Sequence, residues 1–296
     1  MQIAVLGAGS MGHGIAQVSA MAGHDVVLRD LEEDLVADGL EAIRQNLEGG
    51  VEREKVTESE MEATLDRLTG MTDLAEAVSD ADLVVEAVPE DMDLKQHVFE
   101  EVEEATPDDA LIASNTSSLS VTEMAAVLER PERAVGLHFF NPPHIMDLVE
   151  VIIAEQTSDE TESRAIEYVE SIEKDDVVVR DSAGFATSRL GLALGLEAIR
   201  MVEQGIASPA DIDAAMRKGY GYPMGPIELG DHVGLDVRLH IAEYLREELG
   251  ERFKPPQALR RKVRAGNLGK KTGEGYYVWE DGEKVGMSGD WEDDDE

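Results

Sequence analysis

The stretch Gln2-Ile3-Ala4-Val5-Leu6-Gly7-Ala8-Gly9-Ser10-Met11-Gly12-His13-Gly14-Ile15-Ala16 sets the architecture of the chain. After Gln2 the run to Leu6 is apolar without alternation, as a strand covered on both faces must be. Glycines at 7, 9 and 12 follow at once, and a helical pattern runs from Gly12 to about Ala22. In this order of strand, turn and helix, each glycine has a reason. Gly7 allows the tight turn, Gly9 lets backbone approach a pyrophosphate, and Gly12 lets helix and strand pack closely while the helix N-terminus faces the anion. Ser10 and Met11 lie in the same loop. A second strand, Val26-Val27-Leu28, ends at Asp30, eighteen residues after Gly12. An acid there accepts from ribose hydroxyls and repels a 2′-phosphate, which points to NAD rather than NADP.

Outward from this unit, apolar runs at 83–88, 110–113 and 134–137 alternate with helical patterns near 32–48, 91–104 and 121–129. That alternation predicts an α/β domain built on a doubly wound parallel sheet. Past Val177-Val178-Val179 the character changes at Asp181-Ser182-Ala183-Gly184, and helical patterns follow at 185–204, 209–217, 232–249 and 256–264. We expect a first domain over 1–182, an all-helical second domain over 183–285, with a short strand over Gly275 to Trp279, and an acidic tail without fixed structure over 286–296.

Sixty-four acidic against twenty-six basic residues give a formal charge of −38. The acids recur along the whole chain, so the charge belongs to the entire surface and argues against nucleic acid or an anionic membrane as partner. Such a surface repels itself in dilute buffer, whereas molar salt shrinks the Debye length to about 3 Å. A salt-filled cytoplasm is the expected setting. No cysteine is present, which excludes disulfides and thiolate chemistry, and no metal-ligand motif occurs. No apolar run approaches the ~20 residues of a membrane helix, and the N-terminal run is too short for a signal peptide.

Glu150 stands inside Leu148-Val149-Glu150-Val151-Ile152, twelve residues after His138. An unpaired carboxylate in an apolar strand is expensive to desolvate, so it needs a partner. Two strands joined by a turn near His144 would be antiparallel and would set His138 opposite Glu150 on one face. A carboxylate against an imidazole makes a general base. Two further loops follow strands and fall at the carboxyl edge of the sheet, where ligands bind. One runs from Pro89-Glu90-Asp91 to Lys95; Glu90 and Lys95 also read as ordinary helix-start and helix-face charges. The other, Ser114-Asn115-Thr116-Ser117-Ser118, offers Asn115, Ser117 and Ser118 as donors and acceptors, with helix capping by Ser117 or Ser120 as a second use.

Assembled, these motifs resemble the 3-hydroxyacyl-CoA dehydrogenase family over nearly the whole chain. The likeness rests on the loop continuing as Met11-Gly12-His13-Gly14-Ile15-Ala16, on Ser114-Asn115-Thr116-Ser117-Ser118-Leu119 and on His138-Phe139-Phe140-Asn141-Pro142. Gly221-Tyr222-Pro223-Met224-Gly225-Pro226 and Gly269-Lys270-Lys271-Thr272-Gly273-Glu274-Gly275-Tyr276-Tyr277 complete it. The resemblance implies a Rossmann-type domain followed by a helical domain that dimerises and closes the cleft. It makes His138 the base, Glu150 its orienting partner and Ser117 a donor at the reacting oxygen. NAD would be held by Gly7 to Gly12, Asp30, Glu90, Lys95, Asn115, Ser117, Asn141 and Lys271, and the substrate would be an (S)-3-hydroxyacyl-CoA. Arg53 and Lys55 are the candidate cations for coenzyme A phosphates. Ser188 stands where the family carries a substrate-binding asparagine, offering one donor where an amide offers two. Alternatives are a dehydrogenase of a free hydroxy or sugar acid, similar to L-gulonate 3-dehydrogenase, and a dinucleotide-binding protein with weakened catalysis.

Overall fold

In the computed structural model, which describes residues 1–289, the described residues form two compact units, one over Met1–Ser182 and one from Ala183 onward. The first carries, in order, β1 (Gln2–Leu6), α1 (Gly12–Met21), β2 (Asp25–Arg29), α2 (Glu33–Glu52), α3 (Glu58–Leu65), β3 (Leu68–Met71), α4 (Leu74–Val78) and β4 (Leu83–Glu86). There follow α5 (Met92–Ala105), β5 (Leu111–Ser114), α6 (Val121–Ala125), β6 (Ala134–Phe139), β7 (Leu148–Ile153), α7 (Asp159–Ser171) and β8 (Asp175–Arg180). The sheet order is β3-β2-β1-β4-β5-β6-β7-β8. All pairs are parallel except β6 with β7. Strand order reverses at β1, so the loop after Leu6 opens at the topological switch point, the ligand crevice of such sheets.

The strands lack alternation because both faces are covered. Ile3, Val5, Leu28, Val85 and Leu137 pack with Ile15, Ile43, Leu47 and Tyr168, beneath α1, α2 and α7. Ala4, Leu6, Val84 and Ile112 pack with Val78, Phe99, Val102 and Met124, beneath α4, α5 and α6. Each fully buried aliphatic or aromatic side chain contributes about 1.5–3 kcal/mol. Side-chain caps fix where helices begin: Asp73, Asp91, Ser120 and Ser158 each accept from an amide one turn on, and Thr57 with Glu60 forms a reciprocal capping box.

The second unit comprises α8 (Thr187–Glu203), α9 (Pro209–Tyr220), α10 (Pro226–Val233), α11 (Leu235–Leu249) and α12 (Gln257–Ala265). A hairpin, β9 (Tyr277–Glu280) with β10 (Glu283–Met287), closes it. Two expectations are corrected here. The single helix at 232–249 is two helices, broken at Gly234, whose φ of +103° lies outside the helical region. The expected tail begins inside the hairpin, since Gly286 pairs with Val278 and Met287 with Tyr277; residues 290–296 lie outside the described residues. The unit is therefore helical with one added hairpin.

Two buried carboxylates pin that hairpin to the helices. Asp213 accepts from the amides of Ile227 and Glu228 and from the Tyr277 hydroxyl, capping α10 from a distance. Asp231 accepts from the amides of Tyr276 and Tyr277 and from the Trp279 indole. Desolvation raises both carboxyls above their ordinary values in spite of those bonds. Gly225 and Gly275 lie flat on these acids: a Cβ at either would come within 2.3 Å of Asp213 or 2.2 Å of Asp231.

Candidate active site

The glycine loop has the shape its sequence demands. Gly7 holds φ at +103°, and a Cβ there would meet the Ala87 carbonyl oxygen at 2.6 Å. A Cβ on Gly12 would lie 1.7 Å from the Gly7 carbonyl oxygen, so nothing larger closes the turn onto α1. Gly9 is different: a Cβ there meets no heavy atom within 4 Å. Its side of the loop is open, at the N-terminus of α1, a position that suits an anionic group. Asp30, at the end of β2, accepts from the Ala8 amide at 2.7 Å and the Leu31 amide at 2.7 Å. It ties loop to sheet while keeping acceptor capacity for hydroxyls. Ser10 donates to the Asn141 side chain at 3.4 Å, joining the loop to the segment after β6. Pro143 of that segment packs on α1 where Gly14 leaves room; a Cβ there would come 2.7 Å from the proline ring.

His138, the penultimate residue of β6, faces Glu150 of β7 in antiparallel register. Its Nδ1 lies 2.8 Å from Glu150 Oε2, with the histidine 6% and the glutamate 0% exposed. The pairing expected from the turn is the one observed. The Phe140 ring stands 4.6 Å from the imidazole, centroid to centroid, and shields one side. Asn115, beyond β5, accepts from the Phe139 amide at 2.9 Å and so fixes the end of β6.

Between these groups lies a buried network that the sequence only half disclosed. Glu86 ends β4 with 1% exposure. It accepts from Lys95 at 2.6 Å, from the Ser114 hydroxyl at 2.6 Å and from the Val88 amide at 2.7 Å. Lys95, also 1% exposed, donates in addition to the Val88 carbonyl and lies 3.4 Å from Glu90. The helix-face reading of Lys95 is thereby corrected: its ammonium is spent inside, beneath Glu90. Glu90 in turn accepts from the Thr116 hydroxyl at 2.8 Å, the Ser117 amide at 2.9 Å and the Ser117 hydroxyl at 3.1 Å. Burial alone raises the Glu90 carboxyl, but Lys95, Thr116 and Ser117 outweigh it and hold the group below its ordinary value. A fixed carboxylate thus organises the serine loop at the carboxyl edge of β4 and β5. Glu86 escaped the sequence reading, although an acid closing Leu83-Val84-Val85-Glu86 carries the same signal as Glu150; Ser114 and Thr116 stood in the hydroxyl loop with no role of their own.

The remaining candidates are placed as follows. Arg53 and Lys55 are exposed just past α2, with the Arg53 guanidinium over Gly49. In the second unit, Ser188 occupies the first turn of α8, and Lys271 is paired with Asp236 of α11 at 2.6 Å. Among the described residues no cluster could hold a metal ion, and no helix is long and apolar enough to cross a membrane.

Residues 2–182 match the model of the 3-hydroxyacyl-CoA dehydrogenase NAD-binding domain, and residues 184–279 match that family's C-terminal domain. The chain is 42% identical over 281 residues to a probable 3-hydroxybutyryl-CoA dehydrogenase of Bacillus subtilis, covering 95% of this chain and 98% of the relative. It is 40% identical to the human mitochondrial hydroxyacyl-coenzyme A dehydrogenase, over 94% and 90% of the two chains. The crystal structure of Mycobacterium tuberculosis FadB2 superposes with a TM-score of 0.91 at 42% identity, covering 94% of this chain and 98% of that one. That of (S)-3-hydroxybutyryl-CoA dehydrogenase PaaH1 from Ralstonia eutropha gives 0.90 at 37% identity, over 94% and 99%. With both of its units matched in order, the chain belongs to the 3-hydroxyacyl-CoA dehydrogenase family.

Proposed function

We propose that this chain catalyses the reversible NAD-dependent oxidation of an (S)-3-hydroxyacyl-CoA to the 3-oxoacyl-CoA. The observation that carries the reading is the buried His138–Glu150 pair, at the same sheet edge as an open glycine loop. NAD, when bound, accepts the hydride from C3 of the substrate. The protein's part is the proton. With Nδ1 held by Glu150, Nε2 is the atom that takes the hydroxyl proton as the C3–O bond becomes a carbonyl. Glu150 keeps the imidazole in that tautomer and stabilises the imidazolium that forms. Base catalysis of this kind contributes about 10²- to 10⁴-fold in rate.

Ser117 serves the reacting oxygen, but its single hydroxyl proton is directed at Glu90. It becomes a donor to substrate only by rotating off that carboxylate, which Thr116 and the Ser117 amide continue to hold. Lys95 acts through Glu90 as a positioning residue. Asp30 selects NAD. Arg53 and Lys55 supply positive charge for coenzyme A phosphates in a strongly acidic chain, and the family resemblance assigns Ser188 to substrate and Lys271 to cofactor. Leu190, Ile206 and Tyr220, each more than half exposed, suit a homodimer formed through the helical unit, in a cytoplasm rich in salt.

The test is NADH formation at molar KCl with 3-hydroxybutyryl-CoA, free 3-hydroxybutyrate and L-gulonate. Turnover of the thioester, with the free acids inert, is expected. Activity only on a free acid would overturn the reading, and NAD binding without turnover would make the chain a binder.

A further inference from the structure

Two carboxylates share one ammonium beneath the serine loop. Lys95 Nζ lies 2.6 Å from Glu86 and 3.4 Å from Glu90, and among the described residues it is the only cation within ion-pair reach of either acid. The direction of the hydrogen bonds requires both acids to be ionised. Glu86 accepts at one oxygen from Lys95 and the Val88 amide. Its other oxygen accepts from Ser114, whose hydroxyl is itself the acceptor of the Thr116 amide and so has its proton left for the acid. Glu90 meets Lys95 with one oxygen and accepts from Thr116 and Ser117 with the other. Two carboxylates against one ammonium leave the cluster a net charge of −1, with Glu86 and Lys95 each 1% exposed. One acid suffices to pair a buried lysine. The second leaves a charge that is costly to desolvate until a cation stands near it.

That charge stands where a cation comes and goes. Glu86 ends β4, which pairs with β1, so the cluster lies at the same sheet edge as the glycine loop. In the reading above Ser117 serves the oxygen on C3, and its hydroxyl is 3.1 Å from Glu90. The carbon that exchanges hydride with the cofactor therefore carries an oxygen that shares Ser117 with the cluster. The nicotinamide ring is positively charged in NAD⁺ and neutral in NADH, and the rest of the cofactor is the same in both. A fixed negative charge at this place stabilises the oxidised form alone. Exposed acids elsewhere on the chain add little in molar salt, where the Debye length is about 3 Å, whereas a buried charge is screened much less.

We propose that Glu86 is a positioning residue that sets the preference between the two oxidation states of the cofactor. As the second acid on Lys95 it keeps the cluster at −1, which favours NAD⁺ over NADH on the enzyme. It acts through Lys95 and Glu90 without touching the cofactor. The proposal rests on Ser117 serving the reacting oxygen.

The readout is the ratio Kd(NAD⁺)/Kd(NADH), measured in molar KCl by calorimetry and by NADH fluorescence with no substrate present. A unit charge within roughly 12 Å, at an effective dielectric of about 20, moves an equilibrium by at least about tenfold. Glu86→Gln brings the cluster to zero and should raise the ratio about tenfold. Glu90→Gln also brings it to zero and should raise the ratio at least as much. Glu86→Gln combined with Lys95→Met removes an acid and a base together and returns the cluster to −1. That double variant should lie within about threefold of the wild-type ratio, even with both forms bound more weakly. A purely structural role weakens both forms alike and leaves the ratio unmoved in all three variants, which overturns the proposal. A ratio still raised about tenfold in the double variant overturns it as well. Should Glu86→Gln fail to fold, Glu90→Gln and the double variant decide the matter, because neutral residues replacing a buried ion pair are commonly tolerated. If the ratio moves as expected while no 3-hydroxyacyl thioester reacts, the charge proposal stands and the thioester reading falls.

Discussion

Replacing Glu150 by Gln removes one charge while keeping the shape of the β7 side chain. The carboxylate is fully buried and 2.8 Å from His138 Nδ1, so solvent screens the interaction little. As the imidazole takes a proton, unit charges roughly 4 Å apart attract by about 4 kcal/mol at an effective dielectric of about 20. The amide forfeits most of this in the transition state, and at about 1.36 kcal/mol per decade the rate should fall about 10³-fold. Steady-state kcat/KM for 3-hydroxybutyryl-CoA, with NAD affinity measured separately by fluorescence, reads this out. NAD affinity should be retained, because the glycine loop and Asp30 follow β1 and β2 whereas the pair lies on β6 and β7. The melting temperature should hold or rise, since a neutral amide is cheaper to bury than a carboxylate. A variant within about fivefold of the wild type would refute the electrostatic role, whereas a large fall with a collapsed melting temperature would make Glu150 a structural residue only.

Two glycines of one loop should behave oppositely. Gly12→Ala forces a Cβ to 1.7 Å from the Gly7 carbonyl and should lower stability, whereas Gly9→Ala meets nothing in the free protein and should leave the melting temperature intact while weakening NAD at least about 100-fold. Lys95→Met leaves Glu86 charged and 1% exposed, a loss of about 3–5 kcal/mol by denaturant titration. The same change has a pH signature. Because the Glu90 carboxyl is held low, its contribution to stability is present above the ordinary unfolded value of about 4.3 and is lost as pH falls through the folded value. Without Lys95 that acid limb should move to higher pH; an unmoved limb would dissociate Glu90 from the network. The charge of −38 predicts a melting temperature that climbs from dilute buffer to molar KCl, and a flat curve would rule out the salt requirement.

The features legible in the sequence were those set by short-range rules. Strand, glycine turn and helix lie within twenty residues, and His138 and Glu150 stand on strands adjacent in the chain, so nearby sequence determines both. What could not be read depends on residues meeting across the fold. Lys95 reads as a surface charge until β4 brings Glu86 beneath it. Asp213 and Asp231 resemble ordinary helix acids until the hairpin delivers Tyr276, Tyr277 and Trp279 onto them. The helix break at Gly234 was visible in principle, as a glycine within an otherwise periodic run, but helices tolerate a lone glycine, so its presence does not by itself mark a break.

The decisive experiment is NADH formation by the purified protein in molar KCl, with the (S) and (R) enantiomers of 3-hydroxybutyryl-CoA offered separately. A hydride acceptor held on the glycine loop and a base fixed on β6 predict that the (S) thioester alone reduces NAD, and that His138→Gln abolishes the signal with NAD affinity retained. Equal rates on both enantiomers, or full activity in His138→Gln, would contradict the assignment of His138 as the base of a stereospecific dehydrogenase.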